Sequence, residues 1–266
     1  KGEVRVNKGR IKPEYKLQAG DIVRVPPVRV PERDEPVPVA QGLLLRLEAA
    51  IVYEDKALIV LNKPAGIAVH GGSGVAYGLI EGLRAATGKK YLELIHRIDR
   101  DTSGLVMISK KRSTLKTLQD LLREHKIQKT YAAIVKGQVS LDQQLIDQPL
   151  LRYELANGER RVRVSKEGKE SKTQWKVAER FMHATLVYAS PLSGRTHQIR
   201  VHGLSIGHPL VGDDKYGHET EYKGPKPRRL CLHAMRLEIP GYAPIEAPLP
   251  EDMQSLVAQL RAQKKD

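Results

Sequence analysis

The most informative stretch of this chain is residues 96–104, which read His-Arg-Ile-Asp-Arg-Asp-Thr-Ser-Gly. The apolar segment 91–95 precedes it, and the strand-like run 105–108 follows it. Charged groups in a tight connection between buried elements are common in catalytic sites, because rigid flanking elements position a loop that still reaches solvent. A solvated turn with local ion pairs would give the same pattern. The stretch therefore predicts a turn, and its role is open between these two interpretations.

The charge of the chain points to a polyanionic partner. Its 266 residues include 45 Lys or Arg and 31 Asp or Glu, which gives a formal net charge of +14. Such an excess favours nucleic acid over an anionic membrane surface. No apolar run approaches the length of a membrane span, and no secretory leader is visible. The single cysteine, Cys231, cannot form an internal disulfide, so we expect a buried thiol in a reducing, cytoplasmic environment.

Two parts of the chain look separable. Residues 1–30 contain short β-rich runs and turns, and we expect them to form a small module. Prolines recur between Pro26 and Pro38, and proline at that density blocks helix and central strand alike. We therefore predict an extended linker over residues 31–49. Residues 50–266 are long enough to bury a full core and form the predicted main domain.

The main domain is predicted to be α+β, with a mixed, largely antiparallel sheet flanked by helices. Helical spacing of apolar residues is present at 113–125, 196–206 and 252–263. Residues 70–74, His-Gly-Gly-Ser-Gly, are predicted to form a flexible loop. Strand-like runs occur at 50–53, 58–61, 129–135, 161–165, 173–177, 184–189 and 230–239.

Familiar cofactor and metal motifs do not fit. Residues 82–89 imitate a phosphate-binding loop, but their glycines are too far apart and Lys90 replaces the required Ser or Thr, so they predict a helix end. His197 and His202 lack the spacing of a zinc-binding helix. No dinucleotide-binding fingerprint follows a strand. We therefore expect neither a cofactor nor a metal.

A second polar cluster is residues 193–202, Ser-Gly-Arg-Thr-His-Gln-Ile-Arg-Val-His. His197 and Arg200 are three residues apart and share a face of the predicted helix. One interpretation is a basic helix that contacts phosphates. The other is that an arginine pairs with Asp99 in a partly closed cleft, since a guanidinium favours the charged form of an adjacent carboxylate.

In combination, these blocks resemble the RluA family of pseudouridine synthases. The family block His-Arg-Leu-Asp-x-x-Thr-Ser-Gly is matched by residues 96–104, with Ile98 in place of the leucine. Further matches follow in order at 62–66, 129–131, 194–202, 207–209 and 232–234, so the resemblance covers residues 50–250. Residues 1–25 resemble the second half of an S4 RNA-binding module, so we expect the given sequence to begin within that module.

The resemblance implies an enzyme that isomerises uridine to pseudouridine in large-subunit (23S) ribosomal RNA. It implies the pseudouridine synthase catalytic fold, base flipping, and a cofactor-free, metal-free monomer that does not bind membranes. Two alternatives are a synthase acting on transfer RNA and a non-catalytic RNA-binding ribosome-assembly factor.

The resemblance also identifies a catalytic carboxylate. Asp99 matches the essential aspartate of the family. Asp101 is the alternative carboxylate, and only its position in the motif argues against a catalytic role for it. A carboxylate can act at C1′ of the ribose or add to C6 of the base, and the sequence leaves both routes open.

Five further residues match family positions. Tyr131 matches the tyrosine that stacks on the flipped base, and Arg200 matches the arginine that pairs with the catalytic aspartate. Arg97 matches the residue that fills the space of the extruded nucleotide. Arg195 and His197 are expected to contact RNA or support the site.

Overall fold

A computed structural model describes residues 4–12, 14–24, 41–67 and 78–263. The proline-rich stretch between 26 and 38 and the glycine-rich loop at 70–74 lie outside these residues. The chain divides into two compact units, Lys1–Pro38 and Val39–Asp266. Within the described ranges, none of the helices is long and apolar enough to cross a membrane.

The first unit contains a small antiparallel sheet. Strand β1 (Arg5–Val6) lies between β2 (Gly9–Arg10) and β3 (Val23–Arg24). The side chain of Asn7 donates to the carboxylate of Asp21 at 2.8 Å, which ties the turn after β1 to the approach to β3. The β-rich runs predicted here are present, whereas the assignment of residues 1–30 to a partial S4-like module stays a prediction.

The second unit holds the remaining strands and all the described helices. In chain order they are α1 (Gln41–Ala49), β4 (Ile51–Glu54), β5 (Leu58–Lys63), α2 (Leu79–Thr87), β6 (Glu93–Leu94), β7 (Ser103–Ser109), α3 (Arg112–Arg123), β8 (Gln128–Lys136), β9 (Gln143–Asp147), β10 (Leu150–Glu154), β11 (Arg160–Val164), β12 (Lys172–Arg180), β13 (Ala184–Pro191), α4 (Gln198–Ser205), β14 (Leu232–Glu238), β15 (Ile245–Glu246) and α5 (Glu251–Ala262).

One large sheet organises this unit. Its strand order is β4-β5-β7-β14-β8-β13-β12-β9, with β6 paired to β7 and β15 paired to β14. Strands β7 and β14 are parallel, whereas the other described pairs are antiparallel. Strands β10 and β11 form a separate antiparallel hairpin. The predicted mixed, largely antiparallel sheet is therefore confirmed.

The central strands of the sheet are buried on both faces. The apolar runs 58–61 in β5, 105–108 in β7 and 132–135 in β8 are fully buried. In β5, Ile59 packs in a cluster with Leu83 of α2, whereas Val60 packs in a cluster with Leu118 of α3. Because helices cover both faces, the strands are rigid supports for the loops at their ends.

Helix α1 corrects the predicted linker. The linker is expected over residues 31–49, but residues 41–49 are helical, and Leu47 is buried in one cluster with Leu79 of α2. The proline-rich stretch ends at Pro38 and the next proline is Pro64, so nothing in the backbone prevents a helix here. Burial of an apolar side chain such as Leu47 then stabilises it.

Candidate active site

Asp99 lies in the short loop that joins β6 to β7. The carbonyl of the next residue, Arg100, accepts a hydrogen bond from the Lys63 ammonium at 2.9 Å and another from the Gly66 backbone at 2.8 Å. Lys63 is fully buried at the end of β5, and this burial lowers the pKa of its ammonium to about 7. Two residues of the motif at 62–66, Lys63 and Gly66, therefore hold the backbone of the Asp99 loop in place.

Gly104 allows β7 and β14 to approach closely just after this loop. It lies opposite Ala234 in the parallel pair, its φ is +113°, and an added Cβ would lie 2.6 Å from the Ala234 nitrogen. Beside it, His233 Nε2 lies 3.0 Å from the Ala247 carbonyl, which can only accept a hydrogen bond. Nε2 therefore carries the hydrogen, and Nδ1 accepts from the Ser103 hydroxyl at 2.8 Å. These contacts anchor the loop to β14.

Arg200 of α4 belongs to a buried ion pair that the sequence did not predict. Its Nε and Nη2 donate to the carboxylate of Asp213 at 2.7 and 2.6 Å. Burial alone would raise the pKa of Asp213, but the hydrogen bonds and charge of Arg200 outweigh it, so this pKa lies below its ordinary value. From the sequence, Arg200 is expected to pair with Asp99. It does form an ion pair with Asp99, whose Oδ2 lies 3.7 Å from Nη1, whereas its hydrogen bonds go to Asp213.

His197 faces the other oxygen of the same carboxylate. Its Nε2 lies 3.8 Å from Asp99 Oδ1, and its Nδ1 lies 2.7 Å from the hydroxyl of Tyr216. The Tyr216 ring meets His197 edge-on, and the Arg200 guanidinium lies over that ring, 5.3 Å from its centroid. Burial lowers the pKa of His197, so its imidazole is neutral near pH 7. Each oxygen of Asp99 thus faces a different nitrogen group.

Tyr131 of β8 lines the same space. It lies opposite Ala234 in the pairing of β8 with β14, and 8% of the residue is exposed. Burial raises the pKa of its hydroxyl, and the negative charge of Asp99 raises it further. The hydroxyl of Tyr131 therefore stays protonated and can donate a hydrogen bond near neutral pH.

Asp99, Tyr131 and Arg200 line a cleft of about 790 Å³, together with His197. Asp99 is the one carboxylate among its described lining residues, and the positive groups are Arg97, Arg100, Lys129, Arg152, Arg160, Arg161, Arg195, Arg200 and Lys215. Such a surface attracts the phosphates of a nucleic acid. Across residues 4–12, 14–24, 41–67 and 78–263, no three His, Cys, Asp or Glu side chains are placed to hold a metal ion.

The structure brings the predicted site residues together. Lining residues of the cleft include all six: Arg97, Asp99, Tyr131, Arg195, His197 and Arg200. Asp101 is absent from the described lining of the cleft, and its carboxylate pairs with Arg100 at 3.3 Å. The roles of the six residues stay predictions, whereas their common location is a structural finding.

Two features of the site were missed from the sequence: a turn beside it and a pair of arginines in its lining. Asp213 and Tyr216 lie in the turn 212–217, Gly-Asp-Asp-Lys-Tyr-Gly, whose acids and tyrosine between glycines were a visible signal. Arg152 and Arg160, on the hairpin β10–β11, also line the cleft. No signal distinguished these arginines, because basic residues are frequent throughout this chain.

Comparison with known proteins identifies the family. The RNA pseudouridylate synthase family matches residues 57–205, more than half of the chain. The ribosomal large subunit pseudouridine synthase C of Pasteurella multocida is 52% identical over 99% of this chain and 84% of its own length. The Escherichia coli protein of the same name is 52% identical over 98% of this chain and 86% of its own length.

Solved structures agree with these sequence matches. Human RNA pseudouridylate synthase domain containing 4 superposes with a TM-score of 0.70 at 25% identity, over 85% of this chain and 98% of the human chain. Human RNA pseudouridylate synthase domain containing 1 gives a TM-score of 0.63 at 25% identity, over 82% and 96% of the two chains. With its cleft, its fold and its sequence in agreement, this chain belongs to the RNA pseudouridylate synthase family.

Proposed function

We propose that this RNA pseudouridine synthase isomerises uridine in large-subunit (23S) ribosomal RNA, with Asp99 as the catalytic carboxylate. The observation that carries the proposal is that the described residues lining the cleft include one carboxylate and nine Lys or Arg side chains. Such a cleft attracts RNA through its phosphates and presents one carboxylate to whatever enters. The relatives that are 52% identical carry the large ribosomal subunit in their names, which supports this choice of RNA.

The reaction needs no net oxidation and no external group. The N1–C1′ bond breaks, the uracil turns, a C5–C1′ bond forms, the proton on C5 leaves and N1 gains a proton. Asp99 acts either at C1′ or at C6 of the base. Arg200 at 3.7 Å and His197 at 3.8 Å provide positive charge and a hydrogen-bond donor beside its two oxygens.

Two residues fit the handling of a flipped nucleotide. A uridine inside a helix is out of reach, so the base must leave the stack. Arg97 is exposed where it lines the cleft, and a long cation can occupy the gap that the base leaves. Tyr131 offers an aromatic face for stacking and a hydroxyl that stays protonated. Arg195, which is also exposed at the cleft, would contact phosphate.

The small N-terminal sheet would add RNA contacts. We assign residues 1–30 to a partial S4-like RNA-binding module, residues 31–40 to the linker and the rest to the catalytic domain, which then includes α1. The strands of the small sheet carry Arg5, Arg10 and Arg24, each a source of a phosphate contact. The enzyme would work as a cytoplasmic monomer.

Pseudouridine mapping in a deletion strain tests the substrate. We expect discrete uridines of 23S ribosomal RNA to lose modification and to regain it when the gene is supplied on a plasmid. If pseudouridine is lost only from transfer RNA, transfer RNA is the substrate and the proposed ribosomal substrate is wrong. Unchanged pseudouridine in every RNA would point to a non-catalytic assembly factor.

The catalytic carboxylate is tested by paired substitutions, Asp99→Asn and Asp101→Asn. Tritium release from RNA labelled at uridine C5 measures turnover directly. Asp99→Asn should abolish release while RNA binding survives, because the amide keeps the shape but loses the charge. Asp101→Asn should retain activity, since Asp101 does not line the cleft. The reverse result would transfer the catalytic role to Asp101.

A further inference from the structure

His197 occupies a backbone conformation that few side chains adopt. It is the residue before α4, and its φ and ψ are +53° and +23°, in the left-handed region. Asn, Asp and His are the non-glycine residues most enriched there. The His197 side chain makes no capping hydrogen bond to α4. Its ring instead lies between Asp99 and Tyr216, so either the backbone or the ring could explain a histidine here.

The hydrogen-bond partners of Tyr216 favour one tautomer of this ring. The Tyr216 hydroxyl accepts the backbone N–H of Val162 at 3.0 Å. His197 Nδ1, at 2.7 Å, is the other partner that the described part of the chain offers this hydroxyl. If Nδ1 carried the hydrogen, the hydroxyl hydrogen would have no acceptor among the described residues, and a bare Nε2 would face the carboxylate of Asp99. If Nε2 carries it, Tyr216 donates to Nδ1 and an N–H points at Asp99.

We infer that Tyr216 and His197 are positioning residues for Asp99: Tyr216 holds His197 as the Nε2–H tautomer, and His197 orients the Asp99 carboxylate. The inference rests on the proposed function, in which Asp99 acts on the uridine. His197 was expected from the sequence to contact RNA or support the site, and the geometry favours support.

The same contacts join the RNA-facing hairpin to Asp99. Val162 lies on β11, two residues after Arg160, which lines the cleft. Asp213 holds the turn that carries Tyr216, because its Oδ1 accepts the Tyr216 backbone N–H at 3.0 Å. Strand β11, Tyr216, His197 and Asp99 therefore form one continuous set of contacts.

Two substitutions of His197 separate the ring from the backbone. The amide nitrogen of glutamine reaches the position of Nε2, whereas that of asparagine reaches only the position of Nδ1. Asparagine is the better residue for a left-handed backbone. Positioning through Nε2 therefore predicts that His197→Gln keeps a single-turnover rate, at saturating RNA, at least about tenfold above that of His197→Asn. A purely structural role predicts the opposite order in rate and in melting temperature, and would overturn the inference.

Tyr216→Phe removes only the hydroxyl. We expect the saturated single-turnover rate to fall about 10–100-fold, because small misplacements of a reacting group have effects of that size. RNA affinity should stay within about threefold of the parent, since no phosphate contact is lost. Tyr153→Phe is the control, because Tyr153 lies on strand β10 of the hairpin that Tyr216 contacts through Val162, and it is not among the described residues that line the cleft. Equal rates for Tyr216→Phe and Tyr153→Phe would overturn the inference.

Nitrogen NMR of the free protein gives a readout that needs no substrate. At neutral pH, His197 should show a protonated Nε2 and a bare Nδ1, and Tyr216→Phe should change this pattern. A protonated Nδ1 in the parent would overturn the inference even if the enzyme is active. Absence of tritium release from the parent on 23S RNA would instead count against the proposed function, and the NMR result would still decide the tautomer.

Discussion

Replacing Asp213 by asparagine removes one charge from the buried pair with Arg200 and leaves the shape nearly unchanged. The Asp213 side chain is 0% exposed and that of Arg200 is 4% exposed, so water cannot replace the lost charge. Asparagine still offers an oxygen to the backbone N–H groups of Lys215 and Tyr216, which Asp213 accepts at 2.9 and 3.0 Å. The substitution therefore tests the charge rather than the turn.

The expected loss in free energy of unfolding is about 3 kcal/mol. Breaking a buried ion pair from one side costs about 3–5 kcal/mol, and the remaining hydrogen bond from Arg200 favours the lower end. For a domain of this size such a loss lowers Tm by about 6–12 °C. Because native domains are stable by about 5–15 kcal/mol, we expect the variant to fold.

Urea unfolding measures this loss, with the buried Trp175 as the fluorescent probe. The control is Asp214→Asn, the adjacent carboxylate, which lies 3.6 Å from Arg200 but is 77% exposed. Because water solvates the Asp214 carboxylate, we expect this ion pair to contribute less than about 1 kcal/mol. If both variants lose the same stability, burial does not make Asp213 special and the reasoning fails.

Three further predictions address the loop, the hairpin and acid stability. Gly104→Ala should lower the free energy of unfolding by more than about 3 kcal/mol, because the added Cβ meets the Ala234 backbone. The control Gly88→Ala, at a residue with positive φ but open space around it, should cost about 1–2 kcal/mol. Equal losses in urea unfolding would exclude the close approach. Arg160→Ala should flatten the salt dependence of RNA affinity by about one unit without changing the saturated rate. The control is Arg163→Ala, on the same hairpin but off the cleft, and equal salt slopes for the two variants would count against a phosphate contact from Arg160. Because the folded pKa of Asp213 is lowered from 3.8, the stability it contributes is present above that value and is lost as pH falls through the folded pKa. Urea unfolding between about pH 5 and pH 3 should therefore show a smaller acid loss for Asp213→Asn than for the parent, and parallel losses would contradict the shift.

Much of the fold could be predicted because its central strands carry a strong local signal. The strands at 58–61 and 105–108 are buried on both faces. They therefore show in the sequence as continuous apolar runs rather than as an alternation of apolar and polar residues. Helix α3 shows its leucines at helical spacing. Helix α1 was missed because its stability comes from packing of Leu47 with α2, a contact between distant segments that local pattern does not reveal.

The site was predictable where its chemistry lies in short motifs and not where it depends on tertiary pairing. Asp99, Tyr131 and Arg200 belong to recognisable blocks, and the structure places all three in the cleft. The resemblance predicted the ion pair of Arg200 with Asp99. Its hydrogen bonds to Asp213 could not be inferred, because several carboxylates are equally available in sequence and only the fold brings Asp213 within 2.7 Å. The role of Tyr216 likewise depends on a tertiary contact, the one between its hydroxyl and His197.

The parallel pairing of β7 with β14 also sets when the enzyme can become active during its synthesis. Ser103 and His233, which fasten the Asp99 loop, are 130 residues apart in the chain. At about 5–20 residues per second, a ribosome needs roughly 6–26 s to make that interval. A nascent chain can therefore carry every motif through Tyr216 and still lack the strand that closes the loop. Catalytic competence arrives late in translation, only when the C-terminal part of the sheet has joined.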